Sequence, residues 1–162
     1  MKKLLLTLML LAVVVPRAEE GDSSSQETKL RVGFGGGFEA GNGLQLGIKQ
    51  GKNAGQLGVG ILYDGQTANF QYSLGLRYFR TLFSGRANDT YAWTGGAITG
   101  HSSTGDHGTL VSGGAGVGVS MHFGLPFHFN VDSGWRIYHD TQDSYTGLQF
   151  GPTINGALVY EW

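Results

Sequence analysis

The chain has 162 residues, one domain's worth, with 29 glycines against 3 prolines and 14 % charged residues, a balance that suits neither a helical bundle nor a disordered chain. It contains no cysteine, which removes disulfides, thiolate metal sites, a cysteine nucleophile and a lipid-modified N-terminal cysteine. The formal net charge is −1, and no basic run offers a footprint for nucleic acid, so no nucleic-acid partner is expected.

Residues 1–18 open with Lys2 and Lys3, continue through an apolar run over 4–15 and end in Pro16, Arg17 and Ala18, the layout of a secretory signal peptide. The run is too short to cross a bilayer as a helix, so a cleaved signal is expected. Without Lys2, Lys3 and Arg17, eight basic residues face twelve acidic ones, and the mature chain is acidic. Residues 19–28 are small, polar and acidic, and are expected to form a disordered lead-in.

From residue 29 the chain alternates. Leu30, Val32, Phe34 and Phe38 interleave with Arg31, Gly33, Gly35 and Gly37 as a first strand. The glycine run over 33–37 invites a phosphate-loop reading, but no helix pattern follows it, so no nucleotide site is expected. A turn over 39–42 leads to a second strand with Leu44, Leu46 and Ile48 on one face, and the turn over 50–53 to a third with Leu57, Val59, Ile61 and Tyr63. Asp64-Gly65 is hairpin chemistry. The fourth strand sets Phe70, Tyr72, Leu74, Leu76 and Tyr78 against Gln71, Ser73, Gly75 and Arg77.

The alternation loses phase over 79–88. Tyr91, Trp93, Gly95 and Ala97 then suggest a fifth strand, with the aromatic residues grouped on its apolar, outward face, and 100–108 reads as a polar loop. The sixth strand sets Val111, Ala115, Val117, Val119, Met121 and Phe123 against Ser112, Gly114, Gly116, Gly118, Ser120 and His122. A turn over 124–126 leads into the seventh, where Phe127, Phe129, Val131, Trp135 and Ile137 oppose His128, Asn130, Asp132, Gly134 and Arg136. After a polar loop over 139–144, the eighth carries Leu148, Phe150, Pro152, Ile154, Leu158, Tyr160 and Trp162 on its apolar face. Eight hairpin-linked strands predict an all-β, antiparallel up-and-down barrel over 29–162.

Volume orients the barrel. An eight-stranded barrel encloses a lumen only just filled by ordinary side chains, and the apolar faces carry far more bulk than that. They must point outward, towards lipid, while glycine, serine, glutamine and asparagine line the lumen. With the chain starting on the periplasmic side, Tyr78, Tyr91, Trp93, Phe123, Phe127, Phe129, Tyr160 and Trp162 gather at one rim, and Phe38, Tyr63, Phe70, Trp135 and Phe150 at the other. These are two interfacial girdles.

The dyad alternation, the strand number and the C-terminal Gly156-x-Leu158-x-Tyr160-x-Trp162 resemble the small eight-stranded outer-membrane barrels of the OmpA and OmpX type. The resemblance implies a bacterial outer-membrane location, contact with outer-membrane lipid and lipopolysaccharide, and a C-terminal signal read by the barrel-assembly machinery. Such barrels include adhesins, structural proteins and lipid-modifying enzymes alike, so the surface ligand stays open.

Arg31, Lys49, Arg77, His122, His128, Asp132, Arg136 and Glu161 fall on the inward faces. Buried charges need partners. The tracing brings Arg31 to Glu161 where the first and last strands meet, and leaves Asp132 and Arg136 on one strand face. A structural plug is expected, with a narrow pore lined by Arg31, Arg77 and Arg136 as the alternative. His101, Ser102, Ser103, Asp106 and His107 supply the residue types of a serine hydrolase, and lipid A modification is the enzymatic alternative. No deacylase or palmitoyltransferase motif accompanies them. A non-catalytic barrel is expected, with no catalytic residue, cofactor or metal ligand set.

Overall fold

The computed structural model describes residues 27–37, 41–64, 69–103, 106–124, 126–141 and 147–162, with side chains for all of these except 62–64, 69, 101, 103 and 106. The expected signal peptide, and the lead-in apart from Glu27 and Thr28, lie outside the described residues.

Eight strands run in chain order: β1 (Thr28–Gly37), β2 (Gly43–Gln50), β3 (Asn53–Asp64), β4 (Asn69–Ser84), β5 (Asn88–Ser103), β6 (Asp106–His122), β7 (Phe127–Asp140) and β8 (Gln149–Glu161). Each pairs antiparallel with its neighbours, and β8 returns to β1, so the sheet closes into an all-β up-and-down barrel. Following registered partners once around from Arg31, through Gly47, Gln56, Arg77, Gly95, Gly114, Arg136 and Gly151, brings the ladder back to β1 at the level of residue 41, ten residues along. A stagger of this kind tilts the strands and fixes a narrow bore.

The outside is apolar. Phe34, Trp135 and Phe150 are 69 %, 70 % and 71 % exposed, and Leu44, Leu46, Ile48, Leu57, Ile61, Leu74, Leu76, Val117, Ile137, Ile154 and Leu158 point the same way. Phe70 to Tyr78 covers roughly 26 Å of strand, or about 20 Å along the axis at the tilt usual for such barrels. Phe150 to Trp162 covers about 30 Å of axis by the same measure. These lengths bracket the hydrocarbon-facing band of a membrane barrel, about 25 Å tall.

The start of β1 and the end of β8 lie at one rim, the terminal rim, with the connections after β2, β4 and β6; β1, β3, β5 and β7 end at the other, the loop rim. Phe123, Phe127, Phe129 and Trp162 are exposed at the terminal rim, where Tyr160 stacks 5.0 Å from Phe127 and 5.5 Å from Trp162. Phe70, Trp135 and Phe150 are exposed towards the loop rim, while the Phe38 and Tyr63 side chains lie outside those described.

Three sequence expectations change. β4 continues to Ser84, with one extra residue, Leu82, bulging between the pairs Thr81↔Tyr91 and Phe83↔Thr90. A bulge of one residue reverses which face later side chains occupy, and this is the loss of phase over 79–88. Secondly, Tyr91, Trp93 and Ala97 point into the barrel, Trp93 being 3 % exposed, so two aromatics assigned to the outer girdle belong to the lumen. Glycines make their room: a Cβ on Gly118 would lie 2.6 Å from the Tyr91 ring. Thirdly, most of the loop expected over 100–108 is strand, because β5 and β6 stay paired to Ser103↔Asp106. Likewise His139 and Asp140 close β7.

Candidate functional site

The lumen holds three layers of polar contacts. At its centre Arg77, from β4, reaches across the bore to Asp132 on β7, with its terminal guanidinium nitrogen 2.7 Å from Oδ1. Asp132 also accepts from Tyr91 Oη at 3.0 Å and from Asn155 Nδ2 at 2.8 Å. A carboxylate with charged and neutral donors on both oxygens is well compensated for burial. The guanidinium itself lies 4.4 Å from the Trp93 ring centre and 4.7 Å from that of Phe79, and the Phe79 and Tyr91 rings meet edge to face at 5.4 Å. Four strands, β4, β5, β7 and β8, are thereby tied together across the axis.

Towards the terminal rim, Glu161 gathers cations. Arg31 Nε is 3.4 Å away, Lys29 Nζ 3.7 Å and Lys49 Nζ 3.8 Å. Lys49 also lies 3.9 Å from Asp89, which is 3.2 Å from His122 Nε2. The His122 and His128 rings stand 4.3 Å apart. The cavity among Arg31, Lys49, Phe79, Asp89, Tyr91 and His128 is about 20 Å³, room for about one water molecule.

Towards the loop rim the Gly41 and Asn42 backbone, just before β2, packs against the lumen side of the wall. Asn42 N–H donates to Ser73 Oγ at 2.8 Å, and Ser73 Oγ donates back to Asn42 O at 3.2 Å. Gly41 is buried at φ +71°, a left-handed conformation suited to glycine. It lies against the bare backbones of Gly58 and Gly75. Beneath it, Gln56 donates to Gln45, both buried.

The eight charged residues assigned to the lumen are all on inward faces, and Arg31 meets Glu161 as expected. Asp132 pairs with Arg77 across the bore instead of being left with Arg136, whose guanidinium stacks 4.3 Å from the Tyr138 ring centre. Sequence reasoning missed Asp89, Tyr91, Trp93 and Phe79 as lumen residues. Their signal was the phase break before β5.

On the outer surface of the β5–β6 hairpin, Ser102 Oγ and His107 Nδ1 are 2.8 Å apart across the registered pair Ser102↔His107. The side chains of His101, Ser103 and Asp106 lie outside those described. Among the described side chains no carboxylate orients the His107 ring, and a triad needs that third group.

No protein-family model matches the chain, and no curated protein does. Among solved structures the chain is similar to Neisserial surface protein A, with 11 % identity over 83 % of this chain and 96 % of that one and a TM-score of 0.47.

Of the functions weighed from sequence, the lumen geometry bears most directly on conduction. Arg77 is held by an ion pair and two rings, the cavity below it has room for about one water, and the Asn42 backbone is bonded to Ser73 above. Among the described residues no group of three or more histidine, aspartate or glutamate side chains is placed to hold a metal ion.

Proposed function

We propose that this protein is a non-catalytic integral β-barrel of the bacterial outer membrane, of the OmpA and OmpX type. It serves the envelope structurally or through the loop rim it shows to the outside. The signal peptide would carry it across the inner membrane, and the C-terminal strand ending in Tyr160 and Trp162 would be read by the barrel-assembly machinery. The terminal rim then faces the periplasm. Outer-membrane lipid and lipopolysaccharide surround the wall.

One observation carries this reading: large apolar side chains cover the outside of a closed barrel whose inside is polar and filled. In water that arrangement would leave a continuous apolar surface far beyond what soluble monomers expose. In hydrocarbon it is favourable, and closure leaves no unpaired sheet edge. The test is membrane association and detergent-gel mobility. The protein should resist extraction by salt and alkali and shift in mobility on boiling. Release by alkali with unchanged mobility would sink the proposal.

The Ser102 and His107 contact favours a second reading, a barrel that hydrolyses or transfers an acyl ester of lipid A at the outer rim. Mass spectra of lipid A from cells with and without the protein decide it, and identical spectra end it.

A further inference from the structure

The two rims differ in charge. The segments at the loop rim, 37–43, 64–69, 103–106 and 140–149, contain no lysine or arginine, whereas Lys29, Lys49, Lys52, Arg80 and Arg86 all belong to the terminal half of their strands or turns. Lys29 and Lys49 are taken up by Glu161 and Asp89 in the lumen. Lys52, Arg80 and Arg86 are exposed and, among the described residues, have no ion-pair partner.

Two of these three share a step in the rim. β3 begins directly after the turn at Gly51 and Lys52, but β4 runs on: Thr81 N–H donates to Lys52 O at 2.7 Å, and beyond that β4 pairs with β5 alone. Asn53, facing Arg80 across the ladder, accepts from Tyr78 Oη at 2.6 Å, which holds the Lys52 turn beside Arg80. Arg80 points outward in line with Leu74, Leu76 and Tyr78, and past it Leu82 and Phe83 are exposed on the overhang. Arg86 sits at the overhang's tip, in a turn pinned by Gly85 N–H to Asn88 O at 2.7 Å and His122 N–H to Ala87 O at 2.8 Å.

We propose that this step binds the head group of an anionic glycerophospholipid. Arg80 is a cation set within an apolar, aromatic outward face. A ligand that covers both needs acyl chains against Leu74 and Leu76 and a negative charge at the level of Arg80 and Lys52. A phospholipid phosphate with a second acidic or hydroxylated head group is built that way, whereas a soluble periplasmic anion would leave the apolar wall uncovered. Basic residues at an anionic lipid surface each strengthen binding by about fivefold, and screening by salt weakens them. The proposal rests on the membrane-barrel reading above. It also implies that contact with lipopolysaccharide at the opposite rim does not run through lysine or arginine pairing to phosphate.

The test places a single outward fluorophore beneath the step, Leu76→Trp in a Trp135→Phe, Trp162→Phe background, with the protein refolded into bilayers containing brominated phosphatidylcholine or brominated phosphatidylglycerol. The expected result is quenching at least about fivefold more effective by the brominated phosphatidylglycerol, reduced by salt. The ratio should fall to near one when Lys52→Gln, Arg80→Gln and Arg86→Gln are added, while the heat-dependent gel shift persists. Equal quenching by both lipids in the parent, or a preference that survives the triple substitution, overturns the proposal. Quenching by neither lipid overturns the membrane barrel itself. If the Leu76→Trp protein does not fold, native mass spectrometry of the native-sequence protein takes its place. Preferential retention of phosphatidylglycerol over phosphatidylcholine, lost on the triple substitution, supports the site, and equal retention of the two lipids overturns it.

Discussion

Arg77 and Asp132 lie 55 residues apart in the chain and 2.7 Å apart in the lumen. Their bond crosses the bore instead of following the sheet, so it resists flattening of the barrel in a way that ladder hydrogen bonds cannot. Removing one partner leaves a buried charge uncompensated, typically at a cost of about 3–5 kcal/mol. Asp132→Ala should therefore lower the unfolding free energy in urea by that order. Arg77→Met with Asp132→Asn keeps an acceptor for Tyr91 and Asn155 and should recover part of the loss. Equal stability of Asp132→Ala and the parent would remove the cross-bore tie.

The filled lumen predicts electrical silence. Reconstituted protein should give no single-channel steps in planar bilayers, because Arg77 is clamped between Phe79 and Trp93 and bonded across the bore to Asp132. Regular ohmic steps from the native sequence would show that the plug opens.

Glycine on the inner face sets the space for these side chains. A Cβ at Gly95 would fall 2.7 Å from Arg77 Cγ, and one at Gly118 would fall 2.4 Å from Asp132 Cβ. Overpacking of a close-fitting core costs about 1–3 kcal/mol. Gly118→Ala should lose stability in that range, whereas Gly55→Ala, whose Cβ meets nothing within 4 Å, should be near neutral. Parity between the two in denaturant titration would count against the fit of the lumen.

The outer face predicts a dependence on depth. Leu74→Arg, near mid-wall on β4, should cost about 2–4 kcal/mol when the protein folds into bilayers, and Phe83→Arg at the rim about 0–1 kcal/mol. Similar costs at both positions would mean that the wall does not meet hydrocarbon.

The Ser102 and His107 pair should be dispensable. Ser102→Ala removes one exposed hydrogen bond, worth about 1 kcal/mol or less, and should leave both lipid A mass spectra and labelling by a fluorophosphonate unchanged from the native protein.

The alternation of large and small side chains made seven of the eight strands legible, with their faces, though β4 only as far as Tyr78, because a wall between two unlike environments imposes a period of two. β5 was not legible by the same rule. Its larger residues point inward, where Gly95 and Gly118 leave volume, and its outward face is built from Thr90, Ala92 and Thr94. Pairing across the bore was hidden as well: a face can be read along one strand, but which residue meets Asp132 depends on the stagger of the whole barrel. Arg31 and Glu161 were the exception, since closure makes the first and last strands neighbours whatever the stagger. The rim hairpin of β5 and β6 misled by composition, its serines, threonines and glycines reading as loop where strand pairing continues.

The bulge at Leu82 gives the ladder a spare residue. Thr81 meets Tyr91 and Phe83 meets Thr90 with Leu82 left over between them, so its loss would turn the kink into plain ladder and keep Tyr91 and Trp93 as lining. A variant lacking Leu82 alone should therefore still close, with the arginine of the central tie and its supporting tyrosine in place, and what it gives up is the local bend of the rim.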